Sequence, residues 1–138
     1  MTVTVAPTED LETCLNLRRI VFMDEQGVSE AEEIDGLDED CLHLLAREGD
    51  LPVGTARVYF DQDIAKIGRV CVLKSHRGTG LGAALIRAAL AASEGRAVRA
   101  KLGAQTHALG FYRTLGFIPV GPVYDDAGIP HRDMVRAL

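Results

Sequence analysis

Residues 77–82, Arg77-Gly78-Thr79-Gly80-Leu81-Gly82, constrain the fold more than any other part of this chain. They sit between a β-branched run at 67–72 and an Ala/Leu stretch at 83–92, so the order reads strand, glycine loop, helix. Glycines let a backbone approach a ligand closely. The first amides of a helix lack an internal acceptor and point outward beside the positive end of the dipole. Such a loop suits phosphate or pyrophosphate; the plainer reading is an ordinary strand-to-helix turn.

At 138 residues the chain has the size of one domain able to bury a core, and no repeat, low-complexity tract or Pro/Gly/Ser linker divides 1–138. The longest weakly polar stretch, 81–92, is broken by Arg87 and too short for a bilayer, and residues 1–10 have neither the basic start nor the apolar run of a signal peptide. No membrane partner is expected. Cys14, Cys41 and Cys71 are odd in number, far apart and in no CxxC pair, which argues against a disulfide framework and against a zinc site. A reducing cytoplasm fits, and no metal is expected. The net charge of -5, without a basic stripe, argues against nucleic acid.

Charge is uneven along the chain. Nine acidic residues lie between Asp24 and Asp40 with no Lys or Arg among them, whereas Lys74, His76, Arg77 and Arg87 flank the glycine loop. The acidic run reads either as a solvated loop or as a region that receives cations.

The pattern along the chain predicts β α β β β α β α β β. A short strand at 2–5 precedes a helix with Thr8 as N-cap and Leu11, Cys14, Leu15, Val21 and Phe22 at helical spacing. Strands at 41–47 and 53–60 flank Gly49-Asp50-Leu51-Pro52, a hairpin turn, and 64–72 completes an antiparallel meander. A helix at 79–93, a strand at 97–102, a helix at 106–115 stopped by Gly116, and strands near 117–120 and 131–135 follow.

The 77–82 loop resembles the [RQ]-x-x-G-x-[GA] acyl-CoA signature of the GNAT N-acetyltransferases. Gln105, Ala108, Phe111, Tyr112, Gly116 and Phe117 stand at the spacing of that family's N-x-x-A-x-x-F-Y-x-x-x-G-F segment, with Gln105 where Asn is usual. Val21-Phe22, Glu25-Gln26, Ile34-Asp35-Gly36, His43, Ile67-Gly68-Arg69-Val70, Gly103-Ala104-Gln105 and Gly128-Ile129-Pro130-His131 are similar to the ElaA-type branch, from about residue 20 onward. The resemblance implies a mixed α/β fold: a mostly antiparallel twisted central sheet, splayed between strands 4 and 5 and flanked by helices.

It also implies acetyl-CoA as co-substrate. Pantetheine would lie in the splay against Val70 and Val72, with pyrophosphate on Arg77, Gly78, Thr79, Gly80, Leu81 and Gly82, and with Gln105 and Phe111 beside its path. Gly68 marks a candidate β-bulge. The implied reaction is direct attack of an amine on the thioester, without an acyl-enzyme, and Tyr112 matches the family's acid for the departing thiolate; its plainer reading is a core aromatic. Many members carry a carboxylate base on the strand before the loop, and Ile64-Ala65-Lys66-Ile67-Gly68-Arg69 has none. Glu25, Asp35, His43 and His131 stay open as bases. Glu25 and Asp35 also stand as contacts for a cationic primary amine, whether on a small molecule or on a peptide or protein. A homodimer is compatible with the resemblance.

Two other readings share parts of this pattern. Gly78-x-Gly80-x-x-Ala83 fits a dinucleotide fingerprint, but the ribose-binding acid about twenty residues on is missing. A non-catalytic acyl-CoA sensor or interaction module is the alternative to the enzyme. Cys71 reads as a buried strand residue rather than a nucleophile.

Overall fold

The computed structural model describes residues 2–138. Seven strands form one sheet: β1 (Val3–Thr8), β2 (Leu42–Glu48), β3 (Leu51–Asp61), β4 (Ile64–Val72), β5 (Arg99–Gln105), β6 (Ile118–Asp126) and β7 (Ile129–Ala137), in the order β1-β2-β3-β4-β5-β7-β6. All pairings are antiparallel except β4 with β5. The main helices are α1 (Leu11–Arg18), the short α2 (Glu30–Glu33), α3 (Leu81–Ser93) and α4 (Leu109–Thr114).

The helices cover both faces of the sheet because alternate strand residues point to opposite sides. On one face, Leu44 and Ala46 of β2 meet Leu81, Leu85, Ile86, Ala89 and Leu90 of α3 in the main core. On the other, Leu45 meets Cys14 and Leu17 of α1. The buried positions of α3 recur every three or four residues, the stripe a helix needs to lie on a sheet. Burying Leu85 or Ile86 fully contributes about 1.5–3 kcal/mol each.

The expected order of strands and longer helices holds, with the short α2 added inside the stretch read as an acidic loop, and several boundaries move for identifiable reasons. Thr8 is not the cap of α1: it pairs with His43 in the sheet, and Asp10 caps the helix by accepting from the Thr13 amide at 3.2 Å. The first helix is α-helical only to Arg18 and continues as a π-helix, Arg19–Glu25, in which Val21 is buried beside Cys14 and Leu17. The β2–β3 turn is Gly49-Asp50 alone, since Leu51 and Pro52 already pair with Glu48 and Arg47. The expected helix at 106–115 splits into a 3₁₀ turn, Thr106–Ala108, and α4.

Strands β4 and β5 pair only over Ile64–Lys66 and Arg99–Lys101, after which they diverge. The edge of β4 from Ile67 to Val72 that faces β5 therefore has no strand partner. The sheet is reclosed on the far side by β7, which pairs with β5 over its whole length.

Candidate active site

A cavity of about 720 Å³ opens where β4 and β5 part. Its walls come from the β4 edge (Val70, Val72), the end of β5 (Gly103, Gln105), α4 (Phe111, Tyr112), the β6–β7 hairpin (Tyr124, Asp126, His131) and the segment after the π-helix (Gln26, Val28). These elements are distant in sequence, and the splay brings them together.

On the β4 side the register shifts against β3, so that Arg69 and Val70 together face Ala56. This is a bulge, one residue beyond Gly68, and Arg69 rather than the glycine takes the positive φ, 51°. The Arg69 guanidinium anchors that strained backbone by donating to the Glu33 carbonyl at 2.9 and 3.3 Å.

Val72 leads into the glycine loop. Gly80, at φ 83°, is the N-terminal boundary of α3 and offers no side-chain cap, so the first amides of a thirteen-residue helix stay open. A Cβ at Gly80 would project into open space, whereas one at Gly82 would touch the Phe111 ring at 3.5 Å. Backbone at 78–82, where the pyrophosphate cradle is expected, thus presents unpaired amides at the start of α3. Arg77 is engaged otherwise: its Nε donates to the Val72 carbonyl at 3.0 Å and its Nη2 pairs with Glu25 at 2.8 Å.

The Tyr112 ring packs edge-on against Phe111 and Phe117, with centroids 5.0 and 6.0 Å away. Burial pushes its hydroxyl up to about 12, so it holds its proton through the physiological range. Tyr112 packs on aromatics, as its plainer reading expects, and it also lines the cleft.

The candidate bases separate by position. His131 lines the cleft, and its Nδ1 lies 2.7 Å from the Ile129 carbonyl, which can only accept. Nδ1 carries the hydrogen, and Nε2 of the neutral ring keeps its lone pair. His43 is 6% exposed, lies outside the cleft and bonds the Asp38 carbonyl through Nε2 at 2.7 Å. Glu25 is occupied by Arg77 and also lies outside the lining.

Asp35 is occupied as well. The acidic run supplies three carboxylates to three arginines contributed by other elements. Arg18 binds Glu33 and Asp38, each at 2.6 Å; Arg57 binds Asp35 and, at 2.9 Å, Asp38; Arg69 completes the network. Hydrogen bonds from Arg57 hold the Asp35 carboxyl well below the ordinary carboxylate range. Burial opposes the charge on Asp38, yet hydrogen bonds from Arg18 and Arg57 outweigh it, and its carboxyl is also lowered. Glu33 and Asp38 depart from the solvated-loop reading as buried ligands of arginine, while Asp24, Glu30, Glu32, Glu39 and Asp40 stay exposed.

A polar chain also spans the mouth: His107 Nε2 lies 2.7 Å from Gln105 Oε1, and Gln105 Nε2 donates to Gln26 Oε1 at 3.1 Å. Cys71 is buried, and burial pushes its thiol up to about 12, which removes it as a nucleophile. Arg57, Tyr124 and Asp126 were not found by sequence reasoning. Arg57 leaves a signal, a charge inside an apolar strand facing an acid excess elsewhere. Tyr124 and Asp126 alternate on β6, but only the bulge between Val120 and Tyr124 decides which face they take.

The acetyltransferase (GNAT) domain model matches residues 15–138. The chain belongs to the GNAT family. The uncharacterized N-acetyltransferase YjcF of Bacillus subtilis is 38% identical to this GNAT chain, over 93% of each protein. ElaA of Escherichia coli is 38% identical over 93% of this chain and 88% of its own, which places the chain in the ElaA-type branch. The crystal structure of E. coli ElaA superposes with a TM-score of 0.86 at 33% identity, covering 98% of this chain and 99% of that one. An acyl-CoA N-acyltransferase from Pseudomonas aeruginosa gives the same TM-score and identity, covering 99% and 100%. This GNAT protein is an N-acetyltransferase, and its family uses acetyl-CoA. Among the described residues no helix is long and apolar enough to cross a membrane.

Proposed function

We propose that residues 1–138 act as one catalytic domain that transfers the acetyl group of acetyl-CoA directly to a cationic primary amine. The observation that carries this reading is the convergence of an unpaired β4 edge, Tyr112 and His131 on one cleft, with Arg77 of the glycine loop in its wall and the uncapped α3 N-terminus next along the chain. The residues fit the donor. Backbone amides at 78–82 suit the pyrophosphate, the β4 edge at Val70 and Val72 offers backbone groups to an amide-bearing chain, and Phe111 and Gln105 flank that path. When bound, acetyl-CoA supplies an activated acyl group and a thiol leaving group.

The chain's own contribution is proton management. His131 Nε2 takes a proton from the incoming ammonium, while Nδ1–H stays on the Ile129 carbonyl and fixes the ring. Tyr112 keeps its hydroxyl proton at neutral pH and donates it as the transfer completes. Three unpaired cysteines, two of them buried, suit a reducing cytoplasm.

Calorimetric titration with acetyl-CoA, with NADPH as a pyrophosphate-bearing control, tests the donor site. Binding of acetyl-CoA alone, followed by amine-dependent thiol release, is the expected result. Binding of neither by folded protein would sink the reading.

A further inference from the structure

The charges that line the cleft largely cancel. Arg57 and Arg69 are neutralised within the Glu33/Asp35/Asp38 network, Lys66 pairs with Asp61 at 3.0 Å, and Arg77 pairs with Glu25 at 2.8 Å. Glu32 is held in the capping box of α2 by the Ser29 amide and hydroxyl. Asp126 is the one cleft-lining carboxylate that has neither a hydrogen bond nor an ion pair among the described residues.

Its surroundings are built to a specific shape. A two-residue turn, Ala127-Gly128, with φ of 54° and 78°, sets Asp126 directly opposite Ile129. Left-handed backbone at an alanine costs about 1 kcal/mol, so this turn is held by the hairpin and not by local preference. Two residues back on the same strand face, Tyr124 stands opposite His131, stacked at 6.0 Å between centroids and 22° between planes. The Tyr124 hydroxyl donates to Asp133 at 2.7 Å, which lays the ring across β7 and over β5. There it meets Gly103, where any Cβ would collide with the hydroxyl oxygen. The shelf therefore depends on a glycine on β5, and it leaves an aromatic face, 38% exposed, beside a carboxylate without a partner.

An aromatic face next to a carboxylate is a seat for an ammonium group, through the ring quadrupole and through charge. We propose that Tyr124 and Asp126 bind a second cationic group of the acceptor, distinct from the amine that reacts at His131. The acceptor class is thus a diamine or another molecule with two cationic groups. This rests on the acetyltransferase reading above.

The test compares 1,4-diaminobutane, 4-amino-1-butanol and n-butylamine by thiol release, with acetyl-CoA affinity measured separately by calorimetry. In the wild type, kcat/KM for the diamine exceeds that for the amino alcohol by about fivefold, beyond the twofold advantage of two equivalent amines. Asp126→Asn abolishes that excess while acetyl-CoA still binds, and Tyr124→Leu reduces it, whereas Tyr124→Phe, which keeps the ring, retains most of it. High salt weakens it in the wild type. A wild type that binds acetyl-CoA but shows no preference for the diamine, or a preference that Asp126→Asn leaves intact, overturns the seat alone. Failure of acetyl-CoA to bind instead removes the transferase reading beneath it.

Discussion

Arg18 is 1% exposed and has Glu33 and Asp38 each at 2.6 Å. A buried pair broken on one side leaves an uncompensated charge, so Arg18→Met is expected to cost about 3–5 kcal/mol, visible as a large fall in Tm. An unchanged Tm would mean that water reaches the network. Tyr112 carries a different expectation. Tyr112→Phe keeps the packing on Phe111 and Phe117 and removes only the proton donor, so turnover falls on the order of 10² while acetyl-CoA affinity holds. Turnover equal to wild type would remove Tyr112 from the mechanism. Because its hydroxyl lies at about 12, any activity loss between pH 8 and pH 10 belongs to another group. Tyr112 was legible from its motif spacing. Arg18 was not, because nothing in its neighbours shows that residues fifteen and twenty positions away will enclose it.

Two elements carry the proposed donor site and the wall opposite. Gly80→Val at the start of α3 forces a branched side chain into left-handed backbone beside the open amides. Acetyl-CoA binding should weaken about tenfold or more by calorimetry, with the helix content retained by circular dichroism. Undiminished affinity would place the pyrophosphate elsewhere. The segment from α2 to Asp40 is held to the sheet by Asp35 and Asp38, both with lowered carboxyl pKa values. Their stabilisation is complete above the ordinary carboxylate pKa near 4 and is lost as pH falls below it toward the folded-state values. Thermal melts between pH 6 and pH 3 should therefore show falling Tm, and Asp35→Asn should flatten that slope. The glycine loop was readable because a positive φ demands particular residues. The arginine network of the acidic segment was not legible because composition shows the charge of a stretch and not what stands against it.

For the molecule as a whole, the cleft exists because β4 and β5 pair over three residues and then separate. A ligand that fills the gap ties together the β4 edge, β5 and α4, and should stabilise all of them at once. At a concentration a hundred times Kd, acetyl-CoA should add about 2.7 kcal/mol, a rise in Tm on the order of 10 °C, while NADPH adds nothing comparable. Equal shifts with both would reduce the site to a general pyrophosphate cradle.

The sequence by itself determined the order of the strands and longer helices, the glycine loop and the aromatic block of α4. Each of these depends on neighbours within one or two turns of chain, where spacing and backbone preference act directly. Only the tertiary structure decided which histidine shares the cleft with Tyr112, which acidic residues are neutralised and which carboxylate is left without a partner. Those outcomes depend on distance in space, and the arginine–carboxylate partners concerned lie 15 to 52 residues apart in sequence. Charge acts across whatever separation folding leaves between two groups, and that separation is set by strand register, the bulges in β4 and β6, and the parting of β4 from β5.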